Sequence, residues 1–100
     1  GLTGALRYEF WDENIRFSAI IPGTVATAIW KGRAPACAIT PEKSATAILE
    51  GVAANERVVF VTDIDREGAV NSTNPAAAKG FDEYLLNVAR KRRKGESNAV

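Results

Sequence analysis

The sequence contains no histidine, one cysteine and no long apolar run. Without histidine, the chain has no Cys/His pair for nucleophilic catalysis. The single cysteine, Cys37, excludes an internal disulfide. No apolar stretch approaches the roughly 20 residues that a helix needs to cross a bilayer. These absences favour the cytosol, and we therefore predict a cytoplasmic protein.

The composition is that of an ordinary globular protein, with 46% apolar and 25% charged residues. The sequence has no internal repeat and no low-complexity segment. A chain of 100 residues buries about 60–68% of the surface that its unfolded form exposes, which suits one domain or part of one. We therefore expect a packed core.

Positive charge is concentrated near the end of the chain, although the net charge is only +1. Residues 79–100 carry 6 basic and 3 acidic side chains, and the excess lies in the run from Arg90 to Lys94. Such a run can bind the phosphates of a nucleic acid or another anionic surface. Cations also complement the dipole at a helix C-terminus, and no aromatic residue interleaves the run. We favour a solvated helix end and expect no nucleic-acid partner.

The chain starts within an apolar pattern. Leu2, Leu6 and Phe10 recur every four residues, as on one face of a helix. No capping residue precedes this pattern, so we expect the helix to begin upstream of Gly1, in a longer protein.

Two β-branched apolar runs, residues 15–21 and 58–61, are predicted as strands. Their near-continuous apolarity is typical of interior strands in a parallel sheet, which are covered on both faces. Pro22-Gly23 ends the first strand, because proline removes a ladder donor and glycine permits turns closed to other residues. Residues 24–40 then form a long loop, which we interpret as a binding loop.

A helix is predicted from Thr40-Pro41, which supply a cap and a proline at the first helical position. Its apolar face has the spacing i, i+3, i+4 and i+7, with the members Ala45, Ile48, Leu49 and Val52. Because helices alternate with strands, the predicted fold class is α/β with a parallel sheet.

The last helix is predicted to follow a polar connection at residues 62–74 and to be capped by Asn74-Pro75. Its apolar stripe has four members: Phe81, Tyr84, Leu85 and Val88. We expect this stripe to pack on the rest of the protein. The alternative is contact with a membrane surface or a partner.

Three blocks of the sequence resemble the short-chain dehydrogenases/reductases. GLTGALRYE, residues 1–9, is similar to the end of that family's catalytic helix. IRFSAIIPGTVAT, residues 15–27, resembles its sixth strand and the Pro-Gly-x-Val-x-Thr loop. PEKSATAILEGV, residues 41–52, resembles the helix after its substrate loop. The order and spacing of the blocks make the resemblance more specific than any one of them.

The resemblance implies the C-terminal portion of a Rossmann-like, doubly wound parallel sheet, with the order helix-strand-loop-helix-strand-helix. It assigns residues 1–62 to the dehydrogenase domain, with a substrate lid at 24–40. Residues 63–100 would be a polar linker and a C-terminal helix with a basic end. The parent enzyme would be an oxidoreductase that transfers hydride between NAD or NADP and a small alcohol or carbonyl substrate.

The same resemblance implies which side chains line the nicotinamide site. Five of them belong to the Pro-Gly loop: Pro22, Gly23, Thr24, Val25 and Thr27. The threonine at the end of this loop would bond the carboxamide or the diphosphate. The valine would pack against the ring or bond its carboxamide through the backbone. Ile29 and Trp30, in the lid, are the candidate substrate contacts.

The family's glycine-rich phosphate-binding turn and its Asn-Ser-Tyr-Lys catalytic set have no counterpart here. Neither Tyr8 nor Tyr84 has a lysine four residues later. We therefore predict no catalytic residue and no metal site, and expect the segment alone to be inactive. Its partners would be the substrate and the N-terminal half of the same enzyme. A homo-oligomer stays open, because the Asp-Gly-Gly ending on which one family packing depends is missing.

Overall fold

Helices and strands alternate along the chain in the computed structural model, which describes residues 1–96. Within that range the α-helices are α1 (Leu2–Glu9), α2 (Pro41–Ala53), α3 (Asp63–Thr73) and α4 (Ala78–Arg93). The strands are β1 (Ala19–Ile21) and β2 (Val58–Phe60). Short 3-10 turns occupy Trp11–Glu13 and Ala28–Trp30. Residues 97–100, the end of the predicted C-terminal segment, lie outside the described residues.

The two strands form a parallel pair connected by α2. Ala19 lies opposite Val58, and Ile21 opposite Phe60. The connecting helix packs on β2 and comes closest at Gly51, where an added Cβ would overlap the Val59 side chain. The predicted fold class, α/β with a parallel sheet, is confirmed.

Helix α2 begins with the capping interaction that its sequence predicts and ends with one that was not predicted. Thr40 accepts a hydrogen bond from the Lys43 amide (3.2 Å), and Pro41 occupies the first turn. At the other end Asn55 adopts a left-handed conformation, with φ 55°. Its amide and the next one donate to carbonyls of the last turn at 3.0 and 3.1 Å, which forms a Schellman motif.

The buried face of α2 differs from the predicted one. Ser44 and Gly51 are buried, whereas Leu49 is 69% exposed and Val52 49% exposed. The helix rests on β2 through small residues because the backbones approach closely there. Ala45 is exposed as well, so three of the four members of the predicted apolar stripe face outward, and that part of the prediction is wrong.

The buried apolar core of residues 1–96 consists of Val59, which is 2% exposed. Strand β1, predicted to be covered on both faces, is half-buried, and its last residue Ile21 is exposed. The two-stranded sheet of the described residues leaves apolar surface uncovered. The radius of gyration, 16.2 Å, exceeds the roughly 13 Å of a compact chain of this length. The expectation of a packed core is wrong.

Helix α1 is anchored through Arg7, a buried arginine. Its guanidinium donates to the carbonyls of Phe17 (2.7 Å) and Asn55 (2.8 Å). It also lies 5.2 Å from the centroid of the Trp11 ring. Leu2, on the predicted apolar face, is exposed. Phe10, on the same face, packs against the Phe17 ring with the centroids 5.9 Å apart. Arg7 and Phe10 therefore join α1 to the chain entering β1, and Arg7 also joins it to the end of α2.

Residues 63–73 form helix α3, so the predicted polar connection is wrong. Helix α4 packs against α3 after a turn in which Asn74 Oδ1 accepts from the Ala76 amide (3.0 Å). Asn74 thus caps this turn, and α4 begins only at Ala78. Within residues 1–96 no helix combines the length and apolarity needed to cross a membrane.

Candidate functional site

The Pro22-Gly23 turn lies at the carboxyl end of β1, beside the carboxyl end of β2. The two ends are joined by the Val61 amide, which donates to the Ile21 carbonyl (3.3 Å). Gly23 has φ 60°, a left-handed conformation that favours glycine. In open parallel sheets this edge is where ligands bind, so the turn predicted from the sequence occupies a suitable place.

The Asp65 side chain fills the space beside Gly23. Its carboxylate accepts from the Thr62 amide (3.2 Å) and from the Thr62 hydroxyl (2.8 Å). The Asp65 amide in turn donates to the Thr62 hydroxyl oxygen (3.2 Å), which completes a capping box at the start of α3. An added Cβ at Gly23 would overlap this carboxylate. The glycine is therefore required by its backbone conformation and by its neighbour.

Asp65 was not among the predicted site residues. The signal in the sequence was Thr62 followed three residues later by an acid, a pattern typical of a helix start. Among residues 1–96, no group of three or more histidine, cysteine, aspartate or glutamate side chains is placed to hold a metal ion. In the described structure this carboxylate stabilises a helix end.

Residues 24–40 form a loop closed by hydrogen bonds at its base. Val25 pairs with Ile39 in a parallel bridge. The Ile39 amide donates to the Thr24 carbonyl (3.2 Å), and the Ala26 amide donates to the Ile39 carbonyl (2.9 Å). The Trp30 indole donates to the Val25 carbonyl (2.9 Å). The indole N–H, the only polar group of the Trp30 side chain, therefore bonds one part of the loop to another.

The five residues predicted for the nicotinamide site differ in exposure. Pro22, Gly23 and Thr27 are exposed, whereas Thr24 and Val25 are half-buried. The Thr27 side chain makes no capping hydrogen bond to the 3-10 turn that follows it. Three of the five thus present backbone or side-chain groups to solvent at the carboxyl edge of the sheet.

Thr24 lines a small space beside the start of α3. It shares a cavity of about 20 Å³ with Cys37, Thr62 and Asp65. Cavities that enclose a ligand usually measure about 300–1,000 Å³. The space at the turn is therefore too small for the described residues to enclose a ligand there.

The two predicted substrate contacts lie together in a second cavity. Ile29 is 82% exposed and Trp30 half-buried, and both line a space of about 350 Å³. Lys31, Arg33 and Arg92 complete the lining. Arg92 belongs to α4 and was not among the predicted site residues. The one signal in the sequence was its place in the basic run at the end of that helix.

A further cavity is a groove of about 570 Å³ between α3 and α4. Ile64, Phe81 and Tyr84 are among its lining residues. Phe81 and Tyr84 belong to the predicted α4 stripe, but Tyr84 and Leu85 are 56% and 41% exposed, so two of its four members face solvent. The groove is separate from the Pro-Gly turn, because none of the five predicted loop residues lines it.

No protein-family model, curated protein or solved structure matches this chain. The resemblance to the short-chain dehydrogenases/reductases therefore rests on the three sequence blocks alone. Their order and spacing, together with the position of the Pro-Gly turn at the carboxyl edge of a parallel sheet, make that family a proposal for this chain.

Proposed function

We propose that this chain is the C-terminal part of a short-chain dehydrogenase/reductase whose sheet is a Rossmann-like, doubly wound one. The parent enzyme transfers hydride between NAD or NADP and a small alcohol or carbonyl substrate in the cytoplasm. The observation that carries the proposal is the position of Gly23. Its left-handed backbone ends β1 at the sheet edge where α/β proteins bind their ligands.

The residues of the turn form one wall of the cofactor site. Pro22 and Gly23 allow the ligand to approach the backbone closely, since no side chain projects from the glycine. Thr24 and Val25 shape the base of the wall, and the Thr27 hydroxyl donates to the carboxamide or to the diphosphate. The bound nicotinamide accepts or supplies the hydride.

The uncovered apolar surface is the observation from which we infer a partner, namely the N-terminal half of the same enzyme. Leu49 and Val52 project from α2, and Ile21 is exposed at the end of β1. Full burial of an exposed aliphatic side chain stabilises a protein by about 1.5–3 kcal/mol, and covering these partly exposed side chains would give part of that for each. We propose that the N-terminal half covers this surface and supplies the catalytic residues.

The test is Thr27→Ala in the intact enzyme. Loss of one hydrogen bond of about 1–1.5 kcal/mol should raise the KM for NAD(P)H roughly five- to tenfold. Thr73→Ala is the matched control, because this threonine is exposed at the end of α3 and its hydroxyl donates only to carbonyls of the same helix (3.4 and 3.2 Å). Equal KM values for the two variants and the wild type would contradict the assignment.

The isolated chain offers a second test. Residues 1–100 have no counterpart of the family's phosphate-binding turn, so we expect no NAD(P)H binding up to about 1 mM, which corresponds to roughly 4 kcal/mol of binding free energy. Fluorescence titration of NADH with the chain measures this. Micromolar binding would show that a complete cofactor site lies within the chain.

A second candidate function is a non-catalytic α/β module that binds nucleic acid or an anionic surface through α4. The observation that favours it is the row of exposed cations in the last turn, Arg90 to Arg93. Binding by such a row falls steeply with salt. If this function is right, truncation after Ala89 abolishes tight, salt-sensitive binding to duplex DNA.

A further inference from the structure

The cavity beside the lid combines three cations with apolar walls. Lys31 and Arg33 reach it from the loop and Arg92 from the end of α4, and none of the acidic residues among positions 1–96 lines it. Three positive side chains that line a space of about 350 Å³ repel one another, and an anion between them relieves that repulsion. The cavity is therefore electrostatically prepared for a negatively charged group.

Neighbouring residues strengthen the positive potential. Arg90, Lys91 and Arg93 lie in the same last turn of α4 as Arg92. A cleft with one sign of charge attracts ligands of the opposite sign and raises their local concentration. Arginine also presents a planar fork of donors that matches the oxygens of a phosphate.

The walls of the cavity are suited to an apolar ligand part. Ile29 is 82% exposed, which places an aliphatic side chain in contact with solvent. The Trp30 ring is held in position because its indole nitrogen donates to the Val25 carbonyl (2.9 Å). With that donor already bonded, the ring offers a ligand its apolar face rather than a hydrogen bond.

We propose that this cavity binds a ligand composed of a phosphate monoester and a short apolar chain. The phosphate lies among Lys31, Arg33 and Arg92, and the chain lies on Ile29 and Trp30. A dianion is favoured over a carboxylate because three cations surround it. If the ligand is also the substrate of the proposed enzyme, the alcohol or carbonyl compound carries the phosphate, and only this step of the inference rests on the proposed function.

The experiment uses the 100-residue chain and hexyl phosphate as the probe. Trp11→Phe leaves Trp30 as the single tryptophan, so its fluorescence reports on the cavity. We expect saturable binding at about 150 mM salt. At this salt concentration the attraction between the phosphate and cations more than about 8 Å away is largely screened. Arg92→Gln should weaken binding about tenfold, as expected for loss of a charge-assisted hydrogen bond.

The matched control is Arg90→Gln, which removes the same charge from the same helix turn without touching the cavity. It should weaken binding less than about twofold through the general potential. Arg33→Gln provides a second cavity variant, and circular dichroism establishes that each variant is folded. Equal losses for Arg90→Gln and Arg92→Gln would overturn the proposal, as would equally tight binding of hexanoate.

The source of the phosphate is distinguished by a second arm. Vesicles containing phosphatidic acid replace hexyl phosphate, and the same variants are compared. Selective loss for Arg92→Gln in the vesicle arm identifies a lipid headgroup, and selective loss with hexyl phosphate identifies a free ester. Binding of duplex DNA is measured with the same variants. If it weakens equally for Arg90→Gln and Arg92→Gln, and neither arm shows a selective loss, the phosphate-cavity proposal is overturned in favour of anion binding by the basic end of α4.

Because binding is measured without nicotinamide, the result is independent of the hydride-transfer proposal. If neither hexyl phosphate nor the vesicles bind, the phosphate-binding proposal is overturned, and the Thr27→Ala test of the cofactor site is unaffected. An unchanged KM in Thr27→Ala overturns the cofactor assignment and leaves the phosphate cavity standing.

Discussion

At the scale of single residues, two glycines lie where a side chain has no room. Gly51 faces the Val59 side chain, which cannot move away because it lies in the core. Gly23 faces a carboxylate that already caps a helix. The first position determines how closely α2 packs on the sheet, and the second determines the shape of the candidate site.

Gly51→Ala should lower the free energy of unfolding by about 1–3 kcal/mol, the usual cost of overpacking. The midpoint of urea unfolding, followed by circular dichroism, measures this. Gly68→Ala is the matched control, because a Cβ at this helical glycine meets no atom within 4 Å. Alanine should stabilise α3 there by about 0.5–1 kcal/mol. A stabilising Gly51→Ala would contradict the close packing.

Gly23→Ala should cost more than Gly32→Ala. Both glycines have positive φ, 60° and 78°, so each substitution carries a backbone cost of about 1–2 kcal/mol. Only at Gly23 does the new Cβ also displace the Asp65 carboxylate, which should add about 0.5–2 kcal/mol through loss of the cap. Urea unfolding of both variants gives the difference, and equal losses would refute the contact.

At the scale of elements, α3 shows how a capping box defines a helix whose composition is polar. Its sequence, DIDREGAVNST, contains few large apolar residues, so no apolar periodicity indicated a helix. Thr62 and Asp65 nevertheless satisfy two amides at its start. In this region a cap was a better predictor of structure than the apolar pattern.

Thr62→Ala should reduce the helix content and lower the free energy of unfolding by about 0.5–2 kcal/mol. Far-UV circular dichroism and urea unfolding measure the two effects. Thr73→Ala, at the other end of α3, removes a hydroxyl that donates only within the helix. Alanine has the higher helix propensity, so the control should keep or raise helix content. The capping role is excluded if both variants lose equally.

The sequence predicted β1, β2 and the start of α2 because local signals determine them. Thr40-Pro41 acts within one turn, and the apolar runs need only a neighbouring strand. The buried face of α2 was not predictable in this way. Its orientation depends on Gly51 meeting Val59, a contact between elements that periodicity does not contain.

The candidate site was predicted to a similar extent. Pro22-Gly23 marks the end of a strand in any sequence of this kind, since both residues act on the local backbone. The contact of Gly23 with Asp65 and the approach of Arg92 to the 24–40 loop join residues distant in sequence. The bond from Trp30 to Val25 depends on the fold of the loop. They follow from packing, which the sequence pattern does not specify.

At the scale of the whole molecule, stability should be concentrated around the parallel pair. Val59 is the buried core of the described residues, and α4 contains no buried residue. We therefore expect the amides of Val59 and Phe60 to exchange hydrogen most slowly and those of α4 to exchange fastest among the helices. Hydrogen exchange read by mass spectrometry tests this. Slowest exchange in α4 would contradict the described packing.

The parallel pairing of Ala19 with Val58 also has a kinetic consequence. The strands can meet only after the whole intervening segment has closed into a loop, and the entropy of that closure is lost before the sheet contributes any contact. Helices α2, α3 and α4 consist of local contacts and form within about a microsecond. We therefore expect the two strands to pair after these helices have formed.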